Sequence, residues 1–145
     1  MSLYLTVPQA WSYDLKAGDK KIHIHFKEVE VNPFCEKDPF GCARLKILNG
    51  NKKLEVGFLR VITNKLNLRE FPKYCQETFR SMAKLSPEQN EYSEAVNRNT
   101  HFCTWRTGNE ETTILWKDGI TLLLSTSDST LSQKIISQIG QASVL

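Results

Sequence analysis

Residues 111–125 read Glu-Thr-Thr-Ile-Leu-Trp-Lys-Asp-Gly-Ile-Thr-Leu-Leu-Leu-Ser, two β-prone runs broken only at Lys117-Asp118-Gly119. Asp-Gly between apolar runs is a strong hairpin signal, because a tight two-residue turn needs positive φ and Gly adopts it without steric cost. From about Asp128 the pattern changes period. Leu131, Ile135 and Ile139 recur on one helical face, and Gly140 stands where a C-cap is expected. A chain ending in a hairpin and an amphipathic helix must dock both against something apolar, which excludes a disordered tail and a membrane anchor for this part of the sequence.

The rest of the chain supplies what they dock against. Leu3–Val7 reads as a short strand ended by Pro8, and a loop runs from Ala10 to Gly18. Lys21–Val31 is the longest strand candidate. Ile22, Ile24 and Phe26 share one face, but Val29 and Val31 fall in the other phase, which predicts a bulge or a bend. Asn32-Pro33, Asp38-Pro39 and Gly41 make residues 32–42 a loop. Ala43–Leu48 and Lys53–Ile62 flank Asn49-Gly50-Asn51-Lys52 as a second hairpin.

Asn67 and Glu70 then form a variant capping box. Leu68, Phe71, Cys75, Phe79 and Met82 follow at helical spacing, an apolar stripe that predicts a helix ended by Ser86-Pro87. Pro72 fits its first turn, or moves the regular start to about Phe71. Glu91–Asn97 and Thr100–Thr107 are further strands, with a turn at Gly108-Asn109. With 145 residues and no repeat or linker, residues 1–145 are expected to be one domain. The expected class is α+β: a mainly antiparallel sheet with two amphipathic helices covering one face, in two or three layers.

Composition narrows the setting. The chain is 40% hydrophobic and 24% charged, ordinary for a globular domain, and no apolar run nears the roughly 20 residues of a membrane span. Met-Ser-Leu-Tyr-Leu-Thr-Val-Pro lacks the basic and apolar regions of a secretory leader, so the expected location is cytoplasmic, or the chain is a mature form whose leader was removed. The four cysteines contain no C-x-x-C pair, which argues against a structural zinc site. Cys75 and Cys103 lie in apolar patterns and read as small hydrophobes. Cys35 and Cys42 flank a turn-rich loop and admit a disulfide or two surface thiols; with no leader, the thiols are favoured.

Two sets of residues are candidates for function. Residues 44–84 carry ten basic and three acidic groups in a chain whose net charge is only +3. This basic middle predicts a positive face, with Arg44, Lys46, Lys52 and Lys53 as its hairpin part. Binding of nucleic acid by this segment is a lower reading, since no basic run exceeds two residues and no aromatics interleave with them. The second set is His23-Ile24-His25, two imidazoles on one side of a strand, with Glu28 and Glu30 close behind and His101 as a possible third ligand. His25 to Glu30 resembles the first metal motif of the cupins, although the second motif is missing. No nucleophile elbow or phosphate loop is present, so the residues point to no reaction. Trp105 and Trp116 read as core, and Trp11, in its loop, as a lid or a partner contact.

The element order, with Val7-Pro8-Gln9-Ala10-Trp11 standing near the usual Pro-Gly-Trp, resembles the PsbP-like superfamily, which includes DcrB-like proteins and small chaperones of type VI secretion effectors. Ala10 stands where that pattern has Gly, and one residue is added. The resemblance implies helices on an antiparallel sheet and a non-catalytic adaptor, chaperone or assembly factor; no functional residue carries across. The expectation is therefore a protein-binding domain with no cofactor, using Trp11, Arg44, Lys46, Lys52 and Lys53 on an acidic protein partner. The alternative is a small metal-dependent enzyme with His23 and His25 as ligands.

Overall fold

A computed structural model describes residues 10–17, 19–33, 42–49, 52–63, 65–86, 88–127 and 129–144. Along them run β1 (Ala10–Ala17), β2 (Lys20–Lys27), β3 (Glu30–Pro33), β4 (Cys42–Asn49), β5 (Lys52–Thr63), α1 (Phe71–Leu85), β6 (Gln89–Asn97), β7 (Thr100–Thr107), β8 (Glu110–Lys117), β9 (Ile120–Thr126), α2 (Ser129–Gln141) and β10 (Ser143–Val144). The α+β class and the antiparallel pairing expected from the sequence are present. Two sheets form, one of seven strands in the order β3-β4-β5-β9-β8-β7-β6 and one of three in the order β1-β2-β10.

The Asp-Gly hairpin sits at the centre of the larger sheet. Asp118 and Gly119 have φ of 49° and 85°, the double positive of a type I′ turn, which matches the right-handed twist of β8 and β9. Both faces of these strands are buried, as adjacent residues show. Ile114 belongs to one apolar cluster with Phe71, Cys75, Cys103 and Trp105, whereas Leu115 belongs to the other with Leu122, Leu124, Ile135 and Ile139. Because strand side chains alternate, the two clusters lie on opposite faces. Thus α1 covers one face, while α2 and the small sheet cover the other. This corrects the expectation of two helices on one face: strands apolar in both phases need cover on both sides.

The phase slip in the second predicted strand is a corner. Glu28 has φ of 63°, and there the chain leaves the three-stranded sheet for the seven-stranded one. Ile22, Ile24 and Phe26 are buried before the corner and Val29 and Val31 after it, so both phases point into the same core. Residues 10–17, expected as loop, are strand β1, paired along its length with β2 (Leu15 opposite Ile22, Tyr13 opposite Ile24). The expected strand Leu3–Val7 lies outside the described residues, as do residues 34–41 of the expected loop 32–42; the ends of that loop are strand instead, Asn32 and Pro33 in β3 and Cys42 in β4.

Tertiary contacts also revise the helix ends. Asn67 and Glu70 do exchange hydrogen bonds (Glu70 N–H to Asn67 Oδ1, 2.9 Å; Asn67 N–H to Glu70 Oε1, 3.2 Å), but they close a turn before the helix, which starts at Phe71 with Pro72 in its first turn. Gly140 is not a C-cap; it lies buried inside the last turn of α2. The cap comes from elsewhere in the chain. Lys117, 2% exposed, donates from Nζ to the carbonyls of Ile139 (2.9 Å), Gly140 (3.0 Å) and Ala142. Its ammonium thereby meets the negative end of the α2 dipole.

Cys75 and Cys103 do not pack as free small hydrophobes. They form a disulfide with Cα atoms 6.3 Å apart that ties α1 to β7. Cys42 is disulfide-bonded too, with its partner outside the described residues, so the surface-thiol expectation fails for this residue.

Candidate functional site

Helix α1 packs over β6 and β7, and among the described residues no helix packs on the β3–β4–β5 end of the same sheet face. Register builds the surface there. On β4, Ala43 and Leu45 turn into the core, so Arg44 and Lys46 turn outward. Arg44 stands opposite Phe58 and Lys46 opposite Glu55 on β5; on the other side, Lys46 stands opposite Glu30 of β3. A register shift after Leu45 lets Lys53 and Glu55 share this face with Phe58 and Arg60.

The surface is therefore a woven one. Arg44 Nε lies 3.4 Å from Glu55 Oε1, and Lys53 Nζ donates to Glu30 Oε1 at 2.8 Å. That hydrogen bond, reinforced by the charge of Lys53 and by Asn32 and Lys46, holds the Glu30 carboxyl below its usual range against the opposing effect of desolvation. Among the described residues, the basic groups Arg44, Lys46, Lys53 and Arg60 thus share this face with Glu30 and Glu55, and ion pairs join Arg44 to Glu55 and Lys53 to Glu30. The structure brings three of the four expected basic residues onto one face. Lys52, one residue before Lys53 and opposite Asn49, falls in the alternate phase.

Phe58 is the part that sequence reasoning missed. It is half-buried and, among the described residues, joins neither apolar cluster. Its pleat phase, opposite to that of buried Leu59, was the available signal. Trp11, expected as the apolar contact of a loop, instead occupies a position in β1 opposite Phe26.

The histidines form a separate group on the small sheet. His23 and His25 share one side of β2, with their rings edge to face and centroids 4.6 Å apart. Neighbouring β1 supplies a partner for each: Asp14 for His23 Nδ1 and the Ser12 hydroxyl for His25 Nδ1, the latter at 2.9 Å. The register Asp14–His23 and Ser12–His25 makes these contacts direct cross-strand pairs. The remaining expected ligands go elsewhere. Glu28 turns at the corner and pairs with Lys134 of α2 at 3.2 Å, and Glu30 joins the charged face. His101 lies on β7, against the Trp116 ring (centroids 6.0 Å), in the phase of Cys103 and Trp105 and so on the α1 side of the large sheet. Among the described residues, no three His, Cys, Asp or Glu groups are placed to hold a metal together.

Nor do Ser12, Asp14 and the imidazoles make a catalytic triad. A triad places the nucleophile and the carboxylate on the two nitrogens of one ring. Here each contacts Nδ1 of a different ring, so no proton path runs from Ser12 to Asp14 through a single imidazole. Among the described residues, no helix is long and apolar enough to cross a membrane. Comparison with known proteins gives no match: no family model, no curated protein and no solved structure is similar to this chain.

Proposed function

We propose that this chain is a non-catalytic protein-binding domain, an adaptor, chaperone or assembly factor, that receives an acidic partner surface on the charged face of β3, β4 and β5. The observation that carries this reading is the arrangement of that face: a half-buried Phe58 stands opposite Arg44, in phase with Arg60 and Glu55 and, further along, Lys53, and among the described residues no helix packs on it. Aromatic and Arg side chains are enriched at interface hot spots. The interleaved Glu30 and Glu55 suit a partner with matching alternation of charge, since opposed potentials steer encounter and fix register. The PsbP-like resemblance in element order implies a role of the same kind. The metal-enzyme alternative loses support, because His101 and Glu30 are drawn away from His23 and His25.

The disulfides support a different location from the cytoplasmic one expected from sequence. Cys75 and Cys103 are bridged, and Cys42 is bonded as well. Such bonds persist in oxidising compartments and are rare in a reducing cytosol. The partner is accordingly to be sought among proteins of an oxidising compartment.

The test is affinity capture with the oxidised chain at low and high salt, using wild type, Arg44→Glu/Lys46→Glu, Phe58→Ala and, as a control on α1, Lys73→Glu/Arg80→Glu. The reading expects one partner that is lost with the first two variants and with salt and kept with the control. Equal capture by all four baits would overturn it.

A further inference from the structure

The histidine pair on β2 has a property that the protein-binding reading does not use. Both Nδ1 atoms are engaged by oxygens from β1, Asp14 for His23 and Ser12 for His25. Among the described residues, neither Nε2 has a protein partner. The His23 side chain is 37% exposed and His25 is exposed, so both rings reach the surface. An imidazole that donates from one nitrogen to an oxygen acceptor offers the other as a metal ligand; the Asp14 carboxylate serves as such an acceptor, and the Ser12 hydroxyl, which can take either role, accepts in the metal-binding tautomer. Two such rings at i and i+2 project from the same side of a strand. Here β2 is the middle strand of its sheet, between β1 and β10, with Ser143 paired opposite His23, so its backbone is held from both sides. Sites on such elements keep their geometry better than sites on loops.

We propose that His23 and His25 form a surface site for a divalent transition-metal ion, bound through the two Nε2 atoms, with Asp14 and Ser12 as positioning residues. Water completes the coordination, since no third His, Cys, Asp or Glu is placed to join among the described residues. Imidazole nitrogen suits copper, zinc and nickel, and the general affinity order of divalent ions puts Cu2+ first. The site is independent of the charged face, which lies on the other sheet.

The experiment is titration of the intact, oxidised chain with CuCl2, followed by calorimetry and by Cu(II) electron paramagnetic resonance. Wild type is expected to take up one Cu2+ with a spectrum showing coordinated nitrogen. His23→Ala and His25→Ala should each weaken binding at least about tenfold, and the double variant should abolish the nitrogen signature. Asp14→Asn should weaken binding by about 10- to 100-fold while leaving the nitrogen signature in place, which a merely structural role for Asp14 would not produce. His101→Ala should bind as wild type does. Near-UV circular dichroism checks each fold, and His23→Asn and His25→Asn repeat the test with polar side chains if an Ala variant is misfolded. Absence of Cu2+ uptake by wild type, or equal binding by folded variants lacking His23 and His25, would overturn the proposal.

Discussion

The two helices lie on opposite faces of one sheet, and they are held by different means. Helix α2 buries six of its residues, among them Leu131, Ile135, Ile136 and Ile139, and its last carbonyls are closed by Lys117. Helix α1 is the longer, yet it fully buries only Phe71 and Cys75; Met82 and Leu85 are exposed. Its anchorage comes from the Cys75–Cys103 disulfide, with Phe79 resting against Tyr92 and Trp105. One face of the sheet therefore relies on apolar burial and the other on a covalent tie. The lesson is that a good apolar stripe does not measure how deeply a helix is buried. What the sheet offers beneath it decides, and α1 sits toward the β6 edge while α2 crosses the central strands β8 and β9.

Either anchor can be removed by substitution. Replacing Ile135 with Ala should cost the most, about 2–5 kcal/mol, because a fully buried side chain leaves a cavity between α2 and the sheet; chemical denaturation measures it. Removing the other anchor, as Cys75→Ala/Cys103→Ala, should cost ~3–4 kcal/mol by the loop-entropy relation for a separation of 28 residues. Hydrogen exchange should then show α1 opening before α2; uniform opening of the two would mean that the helices are anchored alike.

A perturbation of the sheet itself comes next. In Gly57→Ala the new Cβ would collide with the Ser125 backbone carbonyl on β9, so about 1–3 kcal/mol should be lost and the β5–β9 pairing loosened. Lys117→Met should cost a comparable ~1–3 kcal/mol by leaving the α2 carbonyls without their donor. That variant also carries a pH signature. Burial lowers the Lys117 ammonium below the ordinary value near 10.5, with Asp118 opposing. Between the lowered folded value and the ordinary one, the unfolded chain holds the proton that the native chain has released, so wild-type stability should rise with pH across that interval. In Lys117→Met that rise should vanish, as unfolding curves at a series of alkaline pH values would show. Smallest of all, Met82→Ala on the exposed part of the α1 stripe should change stability by less than about 0.5 kcal/mol. A larger loss would mean that α1 is seated more deeply than its exposure indicates.

Much of the fold was legible because its signals are local. Asp118-Gly119 specifies its turn through φ, and the limits of β7 (Thr100–Thr107) follow from alternation between turn residues. The sides of His23 and His25 and of Ile22, Ile24 and Phe26 follow from the period of a strand. Of the candidate site, Arg44, Lys46 and Lys53 were legible as residues but not as a surface. The bulge between β4 and β5 brings Lys53 into phase with Phe58, and the Glu30 that joins them arrives from another hairpin. The strand β1 was legible and was passed over: Trp11, Tyr13 and Leu15 alternate with Ser12, Asp14 and Lys16 at the period of a strand, and pairing with β2 realises it.

By itself, then, the sequence determined the antiparallel α+β class, the central hairpin, the two amphipathic helices and the outward histidines, because each follows from φ preference or from hydrophobic period within a few residues. Only tertiary structure decided which face each helix covers, that Cys75 meets Cys103, that Lys117 caps α2, and that Asp14 and Ser12 hold the histidine rings. These pairings join positions separated by 28 residues for the disulfide and by 22 for Lys117 and Ile139. Contacts at such distances are fixed by strand order and register, which no local propensity encodes.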